Sequence, residues 1–382
     1  MFSDFSTEQA LKTVQQIQWK HILIFTICLM ALHFILFEET VPSDLSTPPP
    51  PPGKASTAAP APPSPPAKQK PKPKPKPPPV VEVSDAEKPH IETAPPFLVT
   101  QPTDGNIDKP YDSIPIAEPI AVCMSVKDQA VDMIEFFVHH YHNMGIRRFY
   151  VMDDGSDPPL SSFQYPGIPR TALTFTYQER EGRDGYMQLT FYTWCIERYR
   201  ERHTWMAFLD GDEFLETPGP ETLGEVLKTF EEDDTVGALG INWRMHSSSG
   251  LISRPESTRK SFTTCIYDDL EHNGDNSANS HIKSIVKMSK AGPAMNPHKF
   301  ETSPGSYTVG ENGDVIESDA WRRPITRTRI GLHHYAVKSR QEFEAKMERG
   351  NGMSDPKGEA FWTEIESGNP HVNCSEMAAY EP

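Results

Sequence analysis

The sequence predicts an α/β domain from Ile120 onward, a three-layer sandwich with a mainly parallel central sheet. An apolar span and a proline-rich stalk precede it. Two observations predict the sheet. Short apolar runs alternate with helix-length amphipathic runs, the order that a parallel sheet covered by helices requires. Two acidic clusters, Asp153–Asp157 and Asp210–Glu213, each follow one of the predicted strands directly. A break in composition separates this domain from what comes before. Thr47–Pro79 is low-complexity and proline-dense, and Val80–Pro119 remains rich in proline and polar residues.

The first 20 residues read as a cytoplasmic tail. His21–Phe37, HILIFTICLMALHFILF, carries no formal charge at pH 7. At ~1.5 Å per residue it spans roughly 25 Å, enough to cross a thin bilayer. Lys12 and Lys20 precede it and no Lys or Arg follows until Lys54, so the positive-inside rule predicts a lumenal domain. A cleaved signal peptide is the rival reading. The long acid-containing lead and the lack of an A-x-A site close behind the span disfavour it. Residues 38–119 read as stalk and linker, and KPKPKPKPPP favours an extended polyproline II spacer. This layout suits Golgi enzymes and many tethered non-enzymes alike.

Within residues 120–382 the elements follow in order. IAVCMSV from Ile120 reads as a buried strand. Asp132–Asn143 reads as a helix with Ile134, Phe137, Val138 and Tyr141 on one face, ended by Gly145. Arg148–Met152 and Leu173–Gln178 read as strands, Tyr186–Arg202 as a long helix and Trp205–Leu209 as a fourth strand. Thr222–Phe230 reads as a helix, Val236–Trp243 as a strand and Ser339–Arg349 as a helix. Ligands of such sheets bind beyond the C-terminal strand ends, which is where both acidic clusters fall.

The net charge of −16 is unevenly spread. Thr47–Pro79 holds six Lys and no acid, and the first 46 residues carry −3, so Val80–Pro382 carries −19. Such a domain repels phosphate backbones, which excludes nucleic acid as a partner. An anionic substrate needs a metal or local cations. Among the five cysteines no CxxC spacing suggests zinc. Cys123 in a strand and Cys195 in a helix read as buried free thiols. A Cys265–Cys374 disulfide would suit an oxidising lumen.

Asp210-Gly211-Asp212 offers two hard carboxylates at a strand end, suited to Mn²⁺ or Mg²⁺, and Gly211 allows a tight turn. A solvated turn is the bland alternative. An EF-hand loop is excluded, because Leu215 stands at the sixth position, where it needs Gly, although Glu221 fits the twelfth. Asp153-Asp154 could accept from a base or ribose, or simply form an Asx turn. His333-His334 could add a neutral imidazole ligand. Lys283 and Lys287 could flank a diphosphate or lie on a solvated edge. Asp268–Ser280 reads as a mobile loop able to close over substrate and to supply a base.

Taken together, IAVCMSVKDQ, HNMGIRRFYVMDDGSD, WMAFLDGDEFLE, INWRMHSSSG, HIKSIVK, PHKF and HHYAVKSRQEFEAKMERG resemble the family 92 glycosyltransferases and their family-2-like relatives over Ile120–Gly352. The resemblance implies a GT-A fold, a nucleotide-sugar donor, Mn²⁺ or Mg²⁺, and inverting transfer. It implies Asp210 at the ribose and metal, with Asp212 and His334 as metal ligands and His333 fitting less well. It implies Lys127 and Asp154 near the base, and Trp243, Arg244 and His298 toward the sugar and acceptor. Met245-His246 departs from the family pattern and bears on the acceptor.

Three readings follow. The first is transfer of a hexose, with UDP-galactose the donor to try, onto a glycan or polysaccharide in a Golgi or other secretory-pathway membrane. Lys283 would assist the nucleotide and Asp269 would act as base, with Asp268, Glu271 and Glu213 as rivals. The second is a membrane-tethered carbohydrate-binding protein of the same fold without turnover. The third is a metal-dependent nucleotidyltransferase, disfavoured by the lack of a P-loop or basic patch. Asn373-Cys374-Ser375 is a glycosylation sequon.

Overall fold

A computed structural model describes residues 118–181, 185–353 and 357–381, and the backbone of strand β1, His90–Ile91. The expected tail and span, and nearly all of the expected stalk, lie outside the described residues. No helix among the described residues is long and apolar enough to cross a membrane.

The first strand of the core, β2 (Ile120–Val126), is buried on both faces, as its unbroken apolar run requires. Helix α1 (Ala130–Val138) follows and ends in a π-turn at His139–Asn143. Its buried face holds Met133, Phe136 and Phe137, whereas Ile134, Val138 and Tyr141 are half-buried. The expected stripe is thus rotated, because the helix starts at Ala130 and its end is underwound. Gly145, at φ 71°, ends the segment as expected.

Strands β3 (Arg148–Asp153), β4 (Leu173–Tyr177) and β5 (Trp205–Phe208) and helix α2 (Met187–Tyr199) match the sequence pattern to within a few residues. The strand β6 (Glu213–Glu216) was not anticipated. Helix α3 (Leu223–Glu231) starts from a Thr222–Glu225 capping box, which satisfies two orphan N–H groups. Strand β7 (Val236–Met245) runs two residues past its expected end. The short helix α4 (Thr258–Ser261) and strand β8 (Thr264–Ile266) lead into the expected loop. That loop contains two 3₁₀ turns, and Asn279 within it is fully buried.

Strands β9 (Ile282–Lys287), β10 (Ala291–Ala294), β11 (Phe300–Thr302), β12 (Tyr307–Val309) and β13 (Gly331–His334) follow. Helix α5 (Arg340–Arg349) is capped by a Ser339–Glu342 box. Helix α6 (Glu359–Thr363) runs into a π-turn, Glu364–Gly368, and β14 (His371–Asn373) pairs with β8.

The main sheet has the order β1-β4-β3-β2-β5-β9-β7-β13-β6, with β12 beside the first half of β7. It is mixed: β9 runs antiparallel to both β5 and β7, and β6 antiparallel to β13. Lys283 and Lys287 therefore lie in an interior strand, which removes the solvated-edge alternative. Alternate residues of β2 feed two separate cores. Val122 and Met124 pack with α1, and Ala121 and Cys123 pack with α2. Burying Phe136 and Phe137 fully contributes about 1.5–3 kcal/mol each.

Cys123 and Cys195 are not free thiols. They form a disulfide that joins β2 to α2. Both face the second core, a proximity that the linear sequence does not display. Cys265 and Cys374 form the second disulfide and join β8 to the end of β14. His246 lies beside that pair, but the bonded sulfurs leave no thiolate for a metal.

Asp132 on α1 is buried between Lys338 (2.7 Å) and Arg254 (2.9 Å). Burial raises its pKa, but the two cations outweigh burial and hold it below its ordinary 3.8. Its stabilising effect is therefore intact at neutral pH and is lost as pH falls below that value. Asp132→Asn should destabilise the fold by about 3 kcal/mol in denaturant titrations, since it strands the buried Lys338 ammonium. A change under ~0.5 kcal/mol, the level of an inert surface substitution, would contradict this. Peptide mapping without reduction should recover both disulfides.

Candidate active site

Chain direction brings the C-terminal ends of β2, β3 and β5 to one edge of the sheet, and β7 and β13 end beside them. A cavity of about 470 Å³ opens there. Lys127, Asp154, Asp210, Asp212, Trp243, His298 and His334 all line it. These are seven of the residues singled out from the sequence. Lys283 does not line it but holds Asp210 from beneath. Arg244 and Asp269 are not in the lining.

The floor is a buried charge cluster. Lys283 Nζ lies 2.8 Å from Asp210 Oδ2 and 3.6 Å from Glu213 Oε2. Gln188 donates to Asp210 Oδ1 at 2.7 Å, and the Asp210 backbone N–H donates to Glu213 Oε2 at 2.8 Å. Burial raises the Asp210 pKa, but Lys283 outweighs it and the carboxyl stays below its usual range. Glu213 lies deeper and is fully buried. Burial outweighs Lys283 there and pushes its carboxyl well up. Glu213 thus belongs to the floor. Lys287 points elsewhere, donating to the Asp233 carbonyl at 3.0 Å.

Asp212 faces α5 and β13. Lys346 donates to its Oδ2 at 2.7 Å, and His334 Nε2 stands 3.6 Å from its Oδ1, longer than a hydrogen bond. Burial pushes Asp212 up, but Lys346 and His334 outweigh it and hold the carboxyl well below its usual range. Burial lowers the His334 pKa, which favours a neutral imidazole with a lone pair to offer. His334 Nδ1 and the Trp243 indole N–H are buried without a protein partner. Two ionised carboxylates and a neutral imidazole are a donor set that suits Mn²⁺ or Mg²⁺. Gly211 does not adopt a left-handed conformation. A Cβ there would lie 2.6 Å from Met133 Cε, the movable end of a side chain on α1.

Strand alternation separates the two histidines. His334 shares the face of Met245 and Glu213, and His333 that of Arg244 and Phe214. His333 is committed to Glu216 and His246, each at 2.8 Å. Arg244 stands on that same far face, away from the cavity.

The adjacent acids at the end of β3 also divide. Asp153 accepts from Ser156 N (2.9 Å) and Leu160 N (2.6 Å) and builds the turn. Asp154 lines the cavity and pairs with Arg180 at 2.9 Å. Arg180 also donates to the Asn351 carbonyl at 2.8 Å. His298 is held through Nδ1 by the Ile282 carbonyl at 2.8 Å. Burial, then Lys283, lowers its pKa to about 3.

Asp269 instead accepts from His272 (2.9 Å) and Asn276 N (3.1 Å) within its own loop, and Asp268 pairs with Arg327. The geometry therefore gives no support to a base at either position. Lining residues that were not anticipated include Gln188, His281, Lys346, Arg349, Lys357 and Glu364. Lys346 carried a signal, since it lies three residues after buried Phe343 and shares its helix face. Glu364 carried none, because its place depends on the turn after α6.

Comparison with known proteins bears on this geometry. The profile of Glycosyltransferase family 92 matches residues 118–366, which includes every lining residue. A glycosyltransferase family 92 protein of Oryza sativa subsp. japonica is 25% identical over 216 residues, 52% of this chain and 34% of that protein. Galactan beta-1,4-galactosyltransferase GALS3 of Arabidopsis thaliana is 32% identical over 103 residues, 26% of this chain and 20% of that protein. The chain spans about a third or less of the length of these relatives. A mycobacterial crystal structure aligns at 13% identity over 45% of this chain and 54% of the other, with a TM-score of 0.23, too low to bear on the fold. The profile match extends over more than half of the chain, and the chain belongs to glycosyltransferase family 92.

Proposed function

We propose that this chain is a metal-dependent, inverting hexosyltransferase of GT-A type, which moves galactose from UDP-galactose to a glycan or polysaccharide. The observation that carries this reading is the convergence of Asp210, Asp212 and His334 on one cavity in a strongly acidic domain. The galactan beta-1,4-galactosyltransferase name of two relatives supports galactose and a glycan acceptor.

In this reading Asp212 and His334 hold Mn²⁺ or Mg²⁺, with Asp210 beside them at the ribose. The bound ion supplies Lewis-acid stabilisation of the diphosphate. Lys346 and Lys357 line the same cavity and add point charges toward the phosphates. Lys127 and Asp154 flank the uracil, while Trp243 and His298 form the sugar wall. The base is Glu364. Each other carboxylate of the lining is paired with a cation: Asp154 with Arg180, Asp210 with Lys283 and Asp212 with Lys346. Glu364 takes the proton of the acceptor hydroxyl as that oxygen bonds to the anomeric carbon and the diphosphate leaves from the opposite face.

The topology follows the same reading: a single membrane anchor at 21–37 and a lumenal domain in a Golgi or other secretory membrane. The two disulfides suit an oxidising compartment, and Asn373 of the sequon is exposed.

The purified full chain with Mn²⁺ should release UDP from UDP-galactose, and EDTA should abolish release. Asp212→Asn should lose at least ~100-fold in kcat/KM, while the exposed Asp234→Ala remains at wild-type rate. Release from no nucleotide sugar would favour the non-catalytic binding reading, and undiminished activity in EDTA would remove the metal. Glu364→Gln should lower kcat by about 10²–10⁴ with UDP affinity retained. Unchanged kcat, read alongside donor affinity by calorimetry, rules Glu364 out as the base.

A further inference from the structure

We infer that Trp321 is an outer acceptor subsite that takes the face of a second or later sugar, so that the acceptor is an oligosaccharide chain rather than a free monosaccharide. The inference rests on the proposed transferase reading and deepens it.

A run of aromatic rings leads out of the cavity. The Trp243 ring lies 4.3 Å from His334, stacks on His281 at 4.8 Å and 19°, and His281 contacts Trp321 at 5.2 Å. Those three steps keep Trp321 within about 14 Å of His334. Trp243 and His281 line the cavity, whereas Trp321 stands outside it and is 42% exposed.

The exposed indole sits on a fixed backbone. The main chain of Trp321 bridges to His281, and its N–H donates to Ser318 Oγ at 3.3 Å. The next residue, Arg322, is buried and forks onto Asp314 at 2.8 and 2.7 Å while donating to Asn242 at 2.9 Å. A backbone held this way needs no ordering on binding. Its π face suits the C–H face of a pyranose, which is apolar although the sugar's rim is polar. The adjacent cations are already neutralised, Arg322 by Asp314 and Arg323 by Asp275 at 2.8 Å. The patch therefore offers a neutral sugar a platform and gives an anionic ligand no spare charge.

The test uses the full chain, UDP-galactose, Mn²⁺ and β-1,4-linked galacto-oligosaccharides from mono- to pentasaccharide. KM should fall with acceptor length in the wild type. Trp321→Ala should erase that fall, raising KM for the longer acceptors roughly tenfold. Its kcat, its KM for the monosaccharide and its acceptor-independent UDP release should not change, and Trp321→Phe should recover most of the loss. Equal KM values in wild type and Trp321→Ala at every length overturn the subsite. If the wild type releases no UDP, the transferase reading fails by itself. Calorimetry with gluco-, manno- and galacto-oligosaccharides then decides the subsite. Length-dependent binding lost in Trp321→Ala supports it, and equal binding, or none in the wild type, overturns it.

Discussion

The site depends on one electrostatic constraint. Two carboxylates flanking Gly211, the half-buried Asp210 and the buried Asp212, stand at a strand end and must remain ionised. Desolvation alone would neutralise them. Separate lysines prevent this, Lys283 from the interior strand β9 and Lys346 from α5. The antiparallel insertion of β9 is what carries Lys283 under Asp210, and α5 places Lys346 over Asp212. The fold therefore supplies a local positive frame within a domain of strongly negative charge.

The charge layers also divide the labour. Glu213, deepest and pushed toward its neutral form, joins Lys283 and the Asp210 backbone into the floor. Asp212 and His334 form the wall above it, where buried donor atoms lack protein partners. His333 is held between His246 and Glu216 on the far face of the sheet, which fixes β13 so that His334 can face the cavity. Ring stacking then continues from His334 through Trp243 and His281 toward the exposed Trp321.

Much of this was legible in the sequence where the signal is local. Apolar runs located β2, β3, β4, β5 and β7, and the acids after β3 and β5 marked the edge where the cavity opens. The preference for His334 over His333 came from the family resemblance, since the residues themselves left both open, and strand alternation in the fold separates the two. Information carried by distant residues was not legible. HIKSIVK left a diphosphate flank and a solvated edge both open, because the partners that neutralise Lys283 lie some 70 residues away in sequence. Cys123 and Cys195 read as unrelated thiols because only the packing of α2 on β2 brings them together. Asp269 seemed available as a base until the loop's own turns claimed its carboxylate, and Glu364 reaches the cavity only through the turn after α6.

The central claim is that Asp212 and His334 form a metal site completed by the donor's diphosphate. A titration of Mn²⁺ into the full chain, followed by the electron paramagnetic resonance signal of free Mn²⁺, tests it most directly. With UDP present, the wild-type chain should remove one equivalent of free Mn²⁺ beyond what UDP alone removes, and His334→Ala should remove far less at the same concentrations. Indistinguishable titrations for the two chains, with circular dichroism showing both folded, would contradict the account.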